Sequence, residues 1–210
     1  MPMFSKLLAD IKKTKEELQS LVEMSFQIVW SGVLTLAISV FFFREEIMFY
    51  LYDAATPYWG EILGWLILSF IAMSGTYIFG TLLTANGSMK KMNLLFVASI
   101  VINIVLNTLL ISSNQAEGAA MATLFTQFFA LILQIYLSKT ELNIQLGWRI
   151  FGKIISFVST LIFINFSLQQ STFIAWEYLF LSGLVGGIIL SFLFRLINLK
   201  LLFGMMKSKI

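Results

Sequence analysis

The chain contains no cysteine and no histidine among its 210 residues, and it carries only two prolines. Without cysteine the chain has no disulfides, no thiolate metal ligands and no thiol nucleophile. Without histidine it lacks the commonest general base and metal ligand. The sequence also lacks a phosphate-binding glycine loop and a pair of carboxylates in the middle of any apolar segment. We therefore expect no enzymatic activity, no cofactor and no metal.

Charge is also scarce, because only 12% of the residues are charged whereas 59% are hydrophobic. In soluble domains roughly a quarter of the residues are charged. Uncharged runs at 63–84 and 94–112 reach the roughly 20 residues that a helix needs to cross about 30 Å of hydrocarbon. The sequence therefore predicts an all-α, polytopic membrane helical bundle with six transmembrane helices, at about 24–43, 62–84, 92–112, 117–138, 147–168 and 173–194.

Lysine and arginine are unevenly distributed between the two sides that these spans create. Of the 14 such residues, Arg44 alone falls on one side. Because cytoplasmic loops carry the excess of lysine and arginine, the N- and C-termini are both predicted to be cytoplasmic. Trp59, Trp65 and Trp176 fall near the outer boundary and Trp148 near the inner one. Indole rings prefer these headgroup layers, which supports the same topology.

The two ends of the chain differ from the spans. Residues 1–23 have no apolar core of the signal-peptide kind, and they mix both charge signs. Leucine, isoleucine and valine recur there at nearly helical spacing, which favours an amphipathic helix on the cytoplasmic membrane surface. The tail at 197–210 is short, basic and apolar, and we expect it to lie along the same surface.

Polar residues recur at helical spacing inside three neighbouring spans. Two interpretations are open: the stripes converge on a water-accessible path for a substrate, or they hydrogen-bond between helices for about 0.6 to 2 kcal/mol each. Both interpretations need the same residue types. The stripes are Ser69, Met73, Thr76 and Gly80 on the second span, Ser99, Asn103 and Asn107 on the third, and Thr123, Gln127 and Gln134 on the fourth.

Four cations near the inner boundary and two glycines in the last span also have alternative roles. The cations are candidates for attracting a phosphate, although rim lysines also snorkel to lipid headgroups. Gly183 and Gly187 form a small-xxx-small pair, for which we favour packing within the chain over dimerisation. The sequence Asn-Gly at 86–87 predicts a helix stop and a tight inner turn. The four cations are Lys90, Lys91, Arg149 and Lys153.

Residues 85–127, ANGSMKKMNLLFVASIVINIVLNTLLISSNQAEGAAMATLFTQ, carry a resemblance to a known family. A small-residue turn with basic residues precedes a helix that ends in N-x-x-L-N, and G-A-A-x-A-T-L opens the next helix after a short break. This pattern resembles bacterial polysaccharide and oligosaccharide-lipid flippases of the multidrug/oligosaccharidyl-lipid/polysaccharide exporter superfamily. Where family members usually carry a proline and a glycine, the break here is SSNQAE.

The resemblance implies the C-terminal half of such a flippase, with a missing N-terminal lobe as its partner. Residues 24–138 would then form a four-helix part of the C-terminal lobe, and residues 139–196 two additional helices. Gly118 and Ala119 would let two helices approach closely at the outer end. The Ser99, Asn103 and Asn107 face would line a hydrated lumen or its packing seam.

The resemblance further implies transport of an undecaprenyl-type lipid-linked oligosaccharide for surface polysaccharide such as the O-antigen of lipopolysaccharide. The expected location is the bacterial cytoplasmic membrane, with membrane lipids as further partners and no nucleic acid. Two alternatives are a multidrug antiporter half of the same superfamily and a non-transporting subunit or inactive remnant in polysaccharide biosynthesis.

Overall fold

The structure, a computed structural model, describes residues 15–171 and 173–197. This part of the chain is helical and contains no strand. Five of its helices are long and apolar enough to cross a membrane, so the chain is a multi-pass membrane protein. The helices are α1 (Lys15–Phe42), α2 (Arg44–Leu51), α3 (Pro57–Ala85), α4 (Met89–Leu142), α5 (Trp148–Gln169) and α6 (Trp176–Leu193).

Helix α4 is 54 residues long, and it reverses direction in its middle. Gln115 has φ 50° and ψ −126°, which is not a helical conformation. Lys91 near the start of α4 forms an ion pair with Glu141 near its end, so the two arms run antiparallel. We call 89–114 the first arm and 116–142 the second arm. Each arm is about 40 Å long, which confirms the predicted bundle of six crossing segments.

Side-chain contacts sort the loops between helices into two ends. At one end the Tyr58 hydroxyl donates to the Asn114 carbonyl over 3.2 Å, and the Gln169 side chain donates to the Phe42 carbonyl over 2.9 Å. At the other end the Gln19 side chain donates to the carbonyl of Gln145. We call the first the outer end and the second the inner end, after the predicted orientation.

Local signals in the sequence set several helix boundaries. Pro57 occupies the first turn of α3, where its missing N–H costs nothing. At the predicted Asn-Gly turn, Gly87 has φ 78° and the amide of Ser88 donates to the Leu83 carbonyl over 3.0 Å. This bond satisfies a carbonyl that the end of α3 would otherwise leave free. Asn143, with φ 54°, ends α4 in the same left-handed conformation.

Helix α1 lies at the centre of the bundle. It packs against α3 on one side and against α5 and α6 on the other, while the α4 hairpin packs against α3. Aromatic and aliphatic side chains fill these interfaces, including Phe26 of α1, Phe79 of α3 and Phe157 of α5. The two helices in 139–196 that were predicted to be additional to the four-helix part are therefore joined to it through α1.

One feature of the fold differs from the predicted spans. Helix α1 has no break near residue 23, and Leu18, Leu21 and Val22 are buried in the core. Residues 15–23 of the predicted surface helix therefore continue into the first span, because their apolar face packs against protein. Residues 1–14 and 198–210, which complete the predicted surface helix and most of the basic tail, lie outside the described residues.

The outer loop after α1 contains the short helix α2, which docks onto α3. A β-carbon on Gly64 would lie 2.8 Å from the Arg44 side chain, and one on Gly60 would lie 2.8 Å from Glu45. Arg44 donates to Glu61 over 2.6 Å and to the Phe41 carbonyl over 2.9 Å. The two glycines thus admit α2, and Arg44 fixes it to α3.

Candidate functional site

The two arms of α4 approach each other closely beside Gly118, at the outer end. A β-carbon on Gly118 would lie 2.5 Å from the carbonyl carbon of Leu110 and even closer to its oxygen. The reversal is also tied to α3, because the amide of Glu117 donates to the Tyr58 hydroxyl over 3.2 Å. Trp65 donates to the Glu117 carboxylate over 3.0 Å. Only glycine permits this approach of the arms.

Asn103 and Asn107 lie in the seam between the two arms. The Asn103 amide donates to the Thr126 hydroxyl of the second arm over 3.1 Å. Asn107 donates to both the backbone and the side-chain oxygen of Asn103 over 2.9 Å. Ser99, one turn further in, is buried and donates to the Leu95 carbonyl. The polar stripe of the first arm therefore forms one hydrogen bond to the second arm, and its other hydrogen bonds stay within its own helix.

The polar residues of the second arm differ in their hydrogen bonding. The Thr123 hydroxyl donates to the Ala119 carbonyl one turn earlier, and Gln127 is half-buried. Gln134 is only 2% exposed, and its Oε1 atom has no hydrogen-bond partner among the described residues. The same holds for the Ser138 hydroxyl one turn closer to the inner end. The burial of Gln134 is thus not explained by a hydrogen bond to its own helix.

Gln134 lines a groove of about 310 Å³ between α3 and α4. Its Oε1 atom lies 3.4 Å from the position that a β-carbon on Gly80 would take. The groove, which we call the inner groove, combines hydroxyl groups, thioethers and aromatic rings. It is lined by Met73, Thr76, Tyr77, Gly80, Thr81, Thr84, Met89, Met92, Phe96 and Gln134.

Two of the three predicted stripes meet at the inner groove. Met73, Thr76 and Gly80 come from α3, and Gln134 comes from the second arm. The third stripe, with Asn103, is used in the seam instead. The groove can offer an amide and several hydroxyl groups to a polar solute, but none of the described residues that line it is charged.

The four candidate phosphate cations occupy two separate helices. Lys90 and Lys91 begin α4, where Lys91 is paired with Glu141, while Arg149 and Lys153 are exposed near the start of α5. Helix α5 packs against α1, whereas α4 packs against α3. The structure therefore brings the four cations to the inner end without packing their helices together.

A second polar cluster, which the sequence reasoning missed, lies between α1, α5 and α6. Ser39 and Asn165 are 0% exposed, and Ser39 Oγ and Asn165 Oδ1 have no hydrogen-bond partner within the described residues. Both atoms face Gly183, whose β-carbon would lie 2.6 Å from Asn165 Oδ1 and 3.3 Å from Ser39 Oγ. Gly187 lies against Thr35 in the same way.

Two features of the sequence indicate this cluster. Ser31, Thr35 and Ser39 recur every fourth residue along the first span, and Asn165 is the one asparagine of the fifth. Gly183 and Gly187 pack within the chain here, against α1 and α5.

The described residues hold no group of three or more metal-binding side chains. No protein-family model matches the chain, and no curated protein matches it either. The inner groove and the hairpin seam are the candidate functional features of the described residues.

Proposed function

We propose that the chain is the C-terminal half of a flippase for lipid-linked oligosaccharide in the bacterial cytoplasmic membrane. The sequence resemblance at 85–127 points to this family. The observation that carries the proposal in the structure is the inner groove, where the buried Gln134 amide retains an unpaired oxygen.

An unpaired amide oxygen inside a membrane protein is costly, because hydrocarbon offers no hydrogen bonds in place of water. Most polar side chains of this bundle avoid the cost by bonding to their own helix, as Thr76 does to the Met73 carbonyl over 2.8 Å. Gln134 does not, although it is almost fully buried. In this proposal the Gln134 side chain turns its buried oxygen toward the groove, where a sugar hydroxyl supplies the missing donor.

The proposed reaction breaks no covalent bond. The protein lowers the barrier for moving a polar sugar through hydrocarbon by offering hydrogen-bonding groups in place of water. In this proposal an N-terminal lobe closes the inner groove from the other side. The two lobes then alternate between inward- and outward-open states, as in transporters built from repeated halves.

Reconstitution of the full-length gene product in vesicles tests this proposal. The substrate is a fluorescent undecaprenyl-linked oligosaccharide, and transport is the fraction that an added glycosidase reaches. We expect Gln134→Leu to slow transport about three- to eighteenfold, the rate equivalent of a hydrogen bond worth about 0.6 to 1.7 kcal/mol in a membrane. The matched control is Ile132→Leu, an exposed position in the same arm. Equal transport by the two variants would contradict a role for the groove.

A deletion strain separates this function from that of a multidrug antiporter of the same superfamily. Loss of surface polysaccharide supports the flippase. Increased sensitivity to cationic drugs with intact polysaccharide supports the antiporter instead.

A second candidate is a membrane subunit that assembles with polysaccharide enzymes and transports nothing. The seam favours it, since Asn107 donates to Asn103 and Asn103 donates to Thr126, and neither asparagine lines the groove. Under this alternative, Gln134→Leu leaves surface polysaccharide unchanged, and Asn103→Leu reduces it together with the amount of folded protein.

A further inference from the structure

A second, larger groove lies at the outer end, on the other side of α3 from the hairpin. It has a volume of about 710 Å³, and we call it the outer groove. Its walls are formed by the outer parts of α1, α3 and α6, and the short helix α2 borders it. The lining is Val40, Ile47, Met48, Tyr50, Leu51, Tyr52, Leu63, Ile67, Trp176, Glu177, Phe180 and Leu181.

The outer groove is apolar in its depth and amphipathic at its rim. Ile67, its deepest residue on α3, lies ten residues after Pro57, or about 15 Å along the helix. The groove therefore stays within the outer half of a hydrocarbon core of roughly 30 Å, which is the share of one leaflet. The groove therefore matches the acyl chain of a lipid from a single leaflet.

Two aromatic rings and one carboxylate stand at the rim. Tyr50 and Trp176 form an edge-to-face pair with ring centroids 5.8 Å apart, and Tyr50 is 73% exposed. Glu177 follows Trp176 directly, and neither ion pair within the described residues involves it. Aromatic faces attract cations within about 6 Å, and a neighbouring carboxylate adds to that attraction.

The charge of the outer end favours the same kind of ligand. Within residues 15–171 and 173–197 its single cation is Arg44, which is already paired with Glu61 over 2.6 Å. An anionic headgroup would meet repulsion there, whereas an ammonium group would meet attraction. The outer-end carboxylates of the described residues are Glu45, Glu46, Asp53, Glu61, Glu117 and Glu177.

We propose that the outer groove binds one phospholipid of the phosphatidylethanolamine class. One acyl chain lies along Val40, Leu63 and Phe180, and the ammonium group lies at the rim beside Glu177, Tyr50 and Trp176. The proposal requires only that the chain is embedded in a membrane, and it does not depend on flippase activity.

Native mass spectrometry of the purified full chain tests this site. The protein is equilibrated in vesicles with equal amounts of dioleoyl phosphatidylethanolamine and dioleoyl phosphatidylglycerol, and the retained lipids are identified by mass. We expect one retained phosphatidylethanolamine in excess over phosphatidylglycerol. Glu177→Gln should reduce that preference about two- to fivefold. The matched control Asp53→Asn removes an exposed outer-end carboxylate that does not line the groove, and it should not change the preference.

Two further experiments keep the test independent of folding defects. N-acetylated phosphatidylethanolamine keeps both acyl chains and loses the ammonium group, so wild-type protein should retain it no better than phosphatidylglycerol. Leu181→Trp fills the groove and should abolish retention, whereas Ile189→Trp, at an exposed position of α6 outside the groove, should not. Equal retention of the acetylated and unmodified lipids, or undiminished retention by Leu181→Trp, would overturn the proposal.

Discussion

Replacing Gly118 with alanine probes the contact on which the α4 hairpin depends. The new β-carbon would lie 2.5 Å from the Leu110 carbonyl carbon and 2.9 Å from the Ile111 amide nitrogen. Ordinary contact begins near 3.4 Å, so the first arm would have to retreat by at least 0.9 Å, the difference between 3.4 and 2.5 Å, and by more to clear the Leu110 carbonyl oxygen. Because both atoms belong to the backbone, no side-chain rotation can relieve the contact.

The cost follows from overpacking, which destabilises well-packed interiors by about 1–3 kcal/mol. Alanine also favours a helix over glycine by about 1 kcal/mol, which would mask part of that cost. Gly186→Ala on α6 is the control that cancels this gain, since no atom lies within 4 Å of a β-carbon there. Gly118 does not have a positive φ, so alanine is strained only through contact.

We expect Gly118→Ala to be about 1–3 kcal/mol less stable than Gly186→Ala. The free energy of unfolding is measured by titrating the detergent-solubilised protein with sodium dodecyl sulfate, followed by circular dichroism. If the two variants unfold with the same free energy, the arms are not held at this distance and the hairpin geometry is wrong.

Three further predictions concern the seam, the outer clamp and the orientation. In a double-mutant cycle, Asn103→Ala and Thr126→Ala should couple by about 0.6 to 1.7 kcal/mol, and additive free energies of unfolding would show that their hydrogen bond contributes nothing. Arg44→Gln should lower the free energy of unfolding by about 1.5–3 kcal/mol because two charge-assisted hydrogen bonds are lost. Arg44→Lys should recover part of this free energy if the contact with Glu61 is what matters. In the chain without cysteine, an impermeant maleimide added to intact cells should label Asp53→Cys, and labelling only after lysis would reverse the predicted orientation.

The crossing segments were predictable because each depends on a property of its own residues. Length and lack of charge predict the spans, and the rise of a helix does not depend on its neighbours. The same holds for the turn at Gly87, where a positive φ favours glycine. The joining of residues 15–23 to the first span was not predictable, because Leu18 and Val22 are as suited to a membrane surface as to the protein core.

The partners of the polar side chains were predictable only in part. Helical spacing shows which residues share a face, but not which helix meets that face. Asn103 therefore belonged to a predicted stripe, while its partner Thr126 belonged to none. Gln134 and Gly80 were both on predicted stripes, and the structure shows that these two stripes meet.

Packing in a membrane gives a physical reason to separate these polar residues into two groups. Lipid tails are as apolar as leucine, so helices associate through close contact of small residues and through hydrogen bonds. Gly118 and Asn103 follow this rule, since Gly118 admits the backbone of the first arm and Asn103 donates to the Thr126 hydroxyl across the seam. A helix pair held in this way gains stability from every polar group that it pairs.

Gln134 and Asn165 do not follow this rule of helix association through hydrogen bonds and small residues. Each is almost fully buried, and each has a side-chain oxygen without a partner in the described part of the chain. Replacing either by leucine would remove that cost if packing were its only role, and the protein would become more stable. A loss of transport together with unchanged or increased stability, at Gln134 in particular, would therefore assign the unpaired oxygen to substrate rather than to the fold.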